Sequence, residues 1–426
     1  MSKPVHQHRI NPNGENDLSG RLFVCPRTAA ITDLSNIRIL HSGVDTVRQL
    51  YRGELLDSVL DLFIVPGIVR FAGYAWHAGR IGRDSGYQYK LQNADLGLVL
   101  LIKNFNVSDK DAGPHLKIEV SPHLIQQSPP DELQTLLDTL AAQVLLDPTP
   151  NQCAVHLAVD IQGWTPPADL IARMHCRSRK VRDISGINTY DMASNASVYG
   201  RGETWMFGSA NATQLCIYNK TLQARTTDKL DFWQSIWRQS DNPFDVDDPL
   251  NYSPVQDVYR LELRFHHSVI QQFSEGSTNQ QTGEILMFRT YEELVPHLDA
   301  LLPYGLQSFR LLSARAVYDP LWTLLMTNVN VTPGNLSLTE NCTYKRHYKT
   351  AAGFTGKNVD LFLGNLVSLL ARERIGATKA FAQLQKSDIY PVVLEHFENK
   401  GKTERDIYRW LRDKLQERTI RYGVAV

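Results

Sequence analysis

The chain has 426 residues, with 45 Lys and Arg against 45 Asp and Glu, so its formal net charge is zero. At 42% hydrophobic and 21% charged residues, it can bury one large core or several ordinary ones and is too apolar for global disorder. No apolar run approaches the roughly 18 residues that span a bilayer. The polar start MSKPVHQHRINPNGEN lacks the apolar stretch of a secretory signal, so a cytoplasmic protein without a membrane partner is expected.

Residues 1–40 are mixed and polar and read as an N-terminal arm; globular sequence begins near Val44. LGLVLLIKNF (97–106) and HLKIEVSP (115–122) read as strands. PPDELQTLLDTLAAQVLL (129–146) reads as a helix opened by two prolines, with acids in its first turn. CAVHLAVDI (153–161) follows as a strand and TPPADLIARMHCRS (165–178) as a second helix. GETWMFGS (202–209) and TQLCIYNK (213–220) read as strands, followed by an apolar-rich helix near 232–237, a polar loop (240–254) and the strand VYRLELRF (258–265). After about residue 275 the pattern is mostly helical, with a break at 329–337. The fold class is α+β: a mainly antiparallel sheet with helices on one face, plus a mostly helical C-terminal region. The expected divisions are 1–40, 41–275 and 276–426. The five cysteines, Cys25, Cys153, Cys176, Cys216 and Cys342, are widely spaced and form no CxxC pair, which fits free thiols in a reducing compartment.

Alternation along three of these strands separates an apolar from a polar face. Val155, Leu157 and Val159 oppose His156 and Asp160. Leu215 and Ile217 oppose Gln214, Cys216, Tyr218 and Lys220. Tyr259, Leu261, Leu263 and Phe265 oppose Arg260, Glu262 and Arg264. Each strand alone fits a sheet with one wet face. Paired together, the strands gather two carboxylates and a histidine, a donor set suited to Mg²⁺ or Mn²⁺. They also gather a tyrosine, a weak nucleophile until a base or metal activates it. Lys220 and Arg260 can neutralise a phosphate in a transition state, or Lys220 can act as general acid.

In order and spacing, CIYNKTLQAR (216–225), the strand 153–161 and VYRLELRF (258–265) resemble the rolling-circle replication initiators of plasmids and filamentous phages. The branch is the Rep-trans type, related to certain conjugative relaxases. SGVDTVRQLYRGEL (42–55) and GYQYKLQNADLGLVLLI (86–102) look like its phage members, and the resemblance covers about 42–275. It implies a nicking-endonuclease-like domain in a bacterial host, encoded by a plasmid, phage or other mobile element. Tyr218 would be the nicking nucleophile, with Asp160 and Glu262 as metal ligands. The resemblance also implies a 5′-phosphotyrosine intermediate. The chain departs from the family pattern at His156 and Gln223, where acids are usual. His156 is a ligand that favours Mn²⁺, or a bystander.

Residues 171–229 carry nine Lys and Arg against four acids, and residues 341–426 carry sixteen against nine. Neutrality is therefore a cancellation between basic segments and an acidic remainder. Arg177, Arg179, Lys180 and Arg182 beside the site are candidate DNA contacts. So are Lys402, Arg405, Arg409 and Arg412 on a final helix whose stripe is Ile407, Trp410, Leu411 and Leu415. Thr403 and Asp406 stand at capping-box spacing. HQH (6–8) is discounted as a metal pair, and adjacent His266 and His267 would face opposite ways on a continuing strand. AAGFTGKN (351–358) lacks the first glycine and the Ser or Thr of a phosphate loop, so unwinding requires a separate host helicase. The expected partners are double-stranded origin DNA and single-stranded DNA, with a homodimer possible. The rival readings are a conjugative relaxase and a non-catalytic origin-binding protein.

Overall fold

The computed structural model describes residues 4–82, 85–176, 180–184, 187–191, 197–199, 202–245, 248, 250–347, 356–398 and 402–422. Two compact units divide the chain, Met1–Lys345 and Arg346–Val426.

The period-two segments pair into an eleven-stranded antiparallel sheet within an α+β unit. Four adjacent strands carry the site, in the order Thr213–Asn219, Val258–Phe265, Leu145–Gln162 and Arg38–Leu55. Val155, Leu157, Val159, Leu215, Ile217, Leu261, Leu263 and Phe265 all enter the main core, as alternation requires. Helices Tyr291–Leu294, Leu298–Ser308 and Pro320–Asn328 cover that face with leucines and Trp322. Helix Leu298–Ser308 approaches so closely that a Cβ on Gly305 would lie 2.5 Å from Leu263 Cδ1 and 3.1 Å from Phe265 Cζ, so any larger residue there would force those side chains to shift. The region 276–345, expected with the C-terminal helices, thus belongs to the sheet unit.

Three further expectations change. Residues 4–40 are no arm: strands His8–Ile10, Leu22–Val24 and Ile31–Asp33 form a small sheet, and Phe23 is buried in the main core. The helix expected at 129–146 is Pro130–Ala142, because Leu145 already begins the long strand. The helix expected at 165–178 shrinks to Leu170–Arg173, and Met174–Cys176 pairs instead with Phe309–Ala314. Tertiary contacts override local preference there: Arg173 Nε donates to the Leu312 carbonyl at 2.9 Å, and its guanidinium pairs with Asp319.

In the second unit, helices Gly356–Arg372, Ala377–Gln385, Tyr390–Glu398 and Glu404–Tyr422 enclose Leu363, Val367, Phe397, Ile407 and Leu411. The last helix opens with Thr403 N and Oγ1 both donating to Asp406, at 2.9 and 2.8 Å. Among the described residues no helix is long and apolar enough to cross a membrane.

Candidate functional site

Register puts the polar faces of the four strands in three rows. Tyr218, Arg260, Asp160 and His41 form one; Cys216, Glu262, Ala158 and Gly43 the next; Gln214, Arg264, His156 and Thr46 the third. The middle row is small everywhere except at Glu262. That depression lets the larger neighbours lean over its carboxylate.

Glu262 is 3% exposed, and four donors reach it. His156 Nδ1 and Arg264 Nε lie 2.9 and 2.8 Å from Oε1. The Tyr218 hydroxyl and Arg264 Nη2 donate to Oε2 at 3.1 and 3.3 Å. Burial disfavours the Glu262 charge, but the His156 hydrogen bond and the Arg264 charge outweigh it and hold the carboxyl well below its usual range. Burial, and then the Glu262 charge, keeps the Tyr218 phenol neutral and well above its ordinary value.

Asp160 occupies a different environment. Arg260 grips it with two nitrogens at 2.6 and 2.7 Å, and the Trp237 indole donates at 2.8 Å. Both groups are 0% exposed. The same guanidinium pairs with Asp45 and lies over Trp233, 4.0 Å from the ring centroid. Arg260 is therefore a buried clamp rather than an accessible phosphate contact. Its charge outweighs burial to hold Asp160 below the usual carboxylate range. The apolar-rich helix, observed as Leu230–Trp237, supplies both tryptophans as a roof over this row.

The carboxylate that joins His156 and Glu262 is Asp45. One ligand atom from each of these three lies within 4.8 Å of the others. Asp45 follows Gly43 onto the polar face, and the strand bulges beside it: Val44 pairs with Leu157 and Thr46 with His156, so Asp45 and Thr46 both stand on the polar side between the core residues Val44 and Val47. Asp160, the carboxylate expected from the sequence, is not in this group, where Asp45 stands instead; Arg260 and Trp237 hold both Asp160 oxygens.

Tyr218 stands at the end of its strand. Asn219 then caps the helix Lys220–Thr226, accepting from Leu222 N at 2.9 Å, while its amide donates to Asp257 at 2.8 Å. This turn swings Lys220 back beneath the roof, with Nζ 4.3 Å from the Trp233 ring centroid and 5.9 Å from that of Tyr218. Gln223 accepts from Lys220 Nζ at 2.9 Å. Burial, and then the Arg260 charge, lowers the Lys220 ammonium to about 8.

The other expected contacts disperse. Arg177 and Arg179 lie outside the described residues, and so does most of 351–358. Lys180 and Arg182 lie on strand Lys180–Ile184, paired with Ile187–Asp191. Lys402, Arg405, Arg409 and Arg412 are exposed in the second unit. His266 and His267 stand at a strand–helix corner, where their rings lie tilted with centroids 3.8 Å apart rather than facing opposite ways.

Fold and site together define an α+β protein with an Asp–His–Glu–Tyr constellation on one sheet face, buried at His156 and Glu262 and half-buried at Asp45 and Tyr218. The chain is 52% identical to the uncharacterized protein ORF430 of Pseudomonas phage Pf1 over 432 residues, covering all of both chains, and it belongs to that protein's family. No family model matches the chain, and no solved structure does.

Proposed function

We propose that this chain is a rolling-circle replication initiator that nicks one DNA strand at an origin through Tyr218 and later rejoins it. The observation that carries the reading is the Tyr218 hydroxyl, donating at 3.1 Å to a carboxylate that also belongs to the Asp45–His156–Glu262 group. The full-length relative in a phage supports a phage or mobile-element source.

Two carboxylates and one imidazole fit Mg²⁺ or Mn²⁺. Asp45, His156 and Glu262 would hold such an ion, and the chemistry it supplies there is Lewis-acid polarisation of the scissile phosphate. Tyr218 Oη attacks phosphorus in line, and its proton passes to Glu262 as the new P–O bond forms. The P–O3′ bond breaks, and the departing oxygen takes a proton from Lys220, leaving a 3′-hydroxyl primer and a 5′-phosphotyrosine. The ester conserves the energy of the broken bond, so attack by a 3′-hydroxyl rejoins the strand without ATP. Single-stranded or extruded DNA is the substrate, with duplex origin DNA and a separate host helicase as partners. A conjugative relaxase would use the same chemistry.

One observation favours a second reading, origin binding without chemistry: the buried Tyr218 phenol is strongly held in its neutral form. Incubation with Mn²⁺ and a supercoiled plasmid carrying the cognate origin separates the two. Nicking predicts a covalent protein–DNA adduct that Tyr218→Phe abolishes. No adduct from the wild type, or an undiminished one from the variant, would contradict it.

A further inference from the structure

The second unit contains a groove of about 1070 Å³ between the end of helix Gly356–Arg372, the start of helix Ala377–Gln385 and the end of helix Glu404–Tyr422. Its lining includes Arg372, Arg374 and Arg412, the last of them paired with Asp413 at 2.9 Å, and none of the described lining residues is acidic. The N-terminus of the nine-residue helix Ala377–Gln385 opens into the same space at Gly376 and Ala377, adding partial positive charge. The groove is also apolar: Leu369 and Ile420, both among its lining, are 61% and 75% exposed.

The outer face of the last helix is different. There Arg409 pairs with Asp406 at 3.5 Å and Lys414 with Glu417 at 2.6 Å. Acids interleave with its basic residues, whereas the groove sets Arg372 and Arg374 beside exposed aliphatic side chains, with no carboxylate among its described lining residues.

We propose that this groove is a docking site for an acidic amphipathic helix of a partner protein. A nucleic-acid backbone would satisfy the arginines and leave Leu369 and Ile420 wet. An acidic helix satisfies both, seating leucine-type side chains every third and fourth residue against the aliphatic floor while its glutamates meet the arginine rim. The inference does not depend on Tyr218 or on any metal.

The test is fluorescence anisotropy of the full-length protein with a labelled peptide of about 16 residues, leucines at helical spacing and glutamates elsewhere. Saturable binding is expected, weakened about tenfold or more by the exposed pair Arg372→Glu and Arg374→Glu. Arg405→Glu with Arg409→Glu should leave it within twofold, and a lysine-for-glutamate peptide should not bind. The proposal is overturned if the wild type does not bind the acidic peptide saturably. It is equally overturned if a random-sequence DNA duplex displaces the peptide, or if the Arg405/Arg409 variant loses as much affinity as the groove variant. Adduct formation by the groove variant is expected to be unchanged, which separates this test from that of the nicking reaction.

Discussion

The two ends of one sheet face hold the same kinds of side chain and use them differently. At the end roofed by Trp233 and Trp237, Arg260 locks Asp160 and Asp45 with its whole guanidinium buried. At the other end, Glu262 shares its oxygens among His156, Tyr218 and Arg264, and the Arg264 side chain is 35% exposed. The contrast shows that a buried carboxylate is defined by what already occupies its oxygens. On the proposed reading, the first end fixes geometry and the second is where a ligand or substrate proton exchanges. Asp45 joins them, paired to the clamp yet within the three-ligand group.

Breaking the clamp gives the largest expected effect. Arg260→Met leaves Asp160 charged, buried and without its cation, so the stability read by denaturant unfolding should fall by about 3–5 kcal/mol. Replacing Asp160 as well, by leucine, should recover part of that loss; an unchanged stability in the single variant would erase the distinction between the ends. Next is the metal. Asp45→Asn should weaken Mn²⁺ binding by about 10–100-fold, a drop of the size seen for disturbed metal sites. Asp160→Asn should lower stability more than affinity, measured by Mn²⁺ titration of both variants. Equal losses of affinity would return Asp160 to the ligand set. The smallest effect is in pH. Lys220, lowered to about 8, carries its proton below that value and loses it above. Nicking should therefore fall about tenfold per pH unit above 8, and Lys220→Arg should move that limb to higher pH. An identical limb in the variant would assign it to another group.

Much of this face was legible from alternation alone. The strand read at 258–265 is observed as Val258–Phe265, and the polar sides of three strands do converge. The bulge was not legible. Period two assigns faces only while pairing stays in step: Asp45 follows Gly43 onto the polar face, but nothing in SGVDTVRQL marks that Thr46 would join it and Val47 return to the core. The fate of Asp160 was hidden too, because its partners are Arg260, one hundred residues away, and a tryptophan on a separate helix. The short strands between residues 8 and 33 lie among Asn-, Gly- and Asp-rich turns, which masked a packed segment as a polar arm. Helices after residue 290 looked like a separate region, since nothing in a helical stripe says which sheet it will cover.

The central claim is that Tyr218 is the atom-bearing nucleophile, and mass spectrometry of the trapped adduct tests it most directly. After Mn²⁺-dependent reaction with origin DNA, nuclease trimming and tryptic digestion, the peptide spanning 202–220 should carry a 5′-linked deoxynucleotide on Tyr218. A nucleotide found on any other residue, or only unmodified peptide despite nicked DNA, would contradict the account.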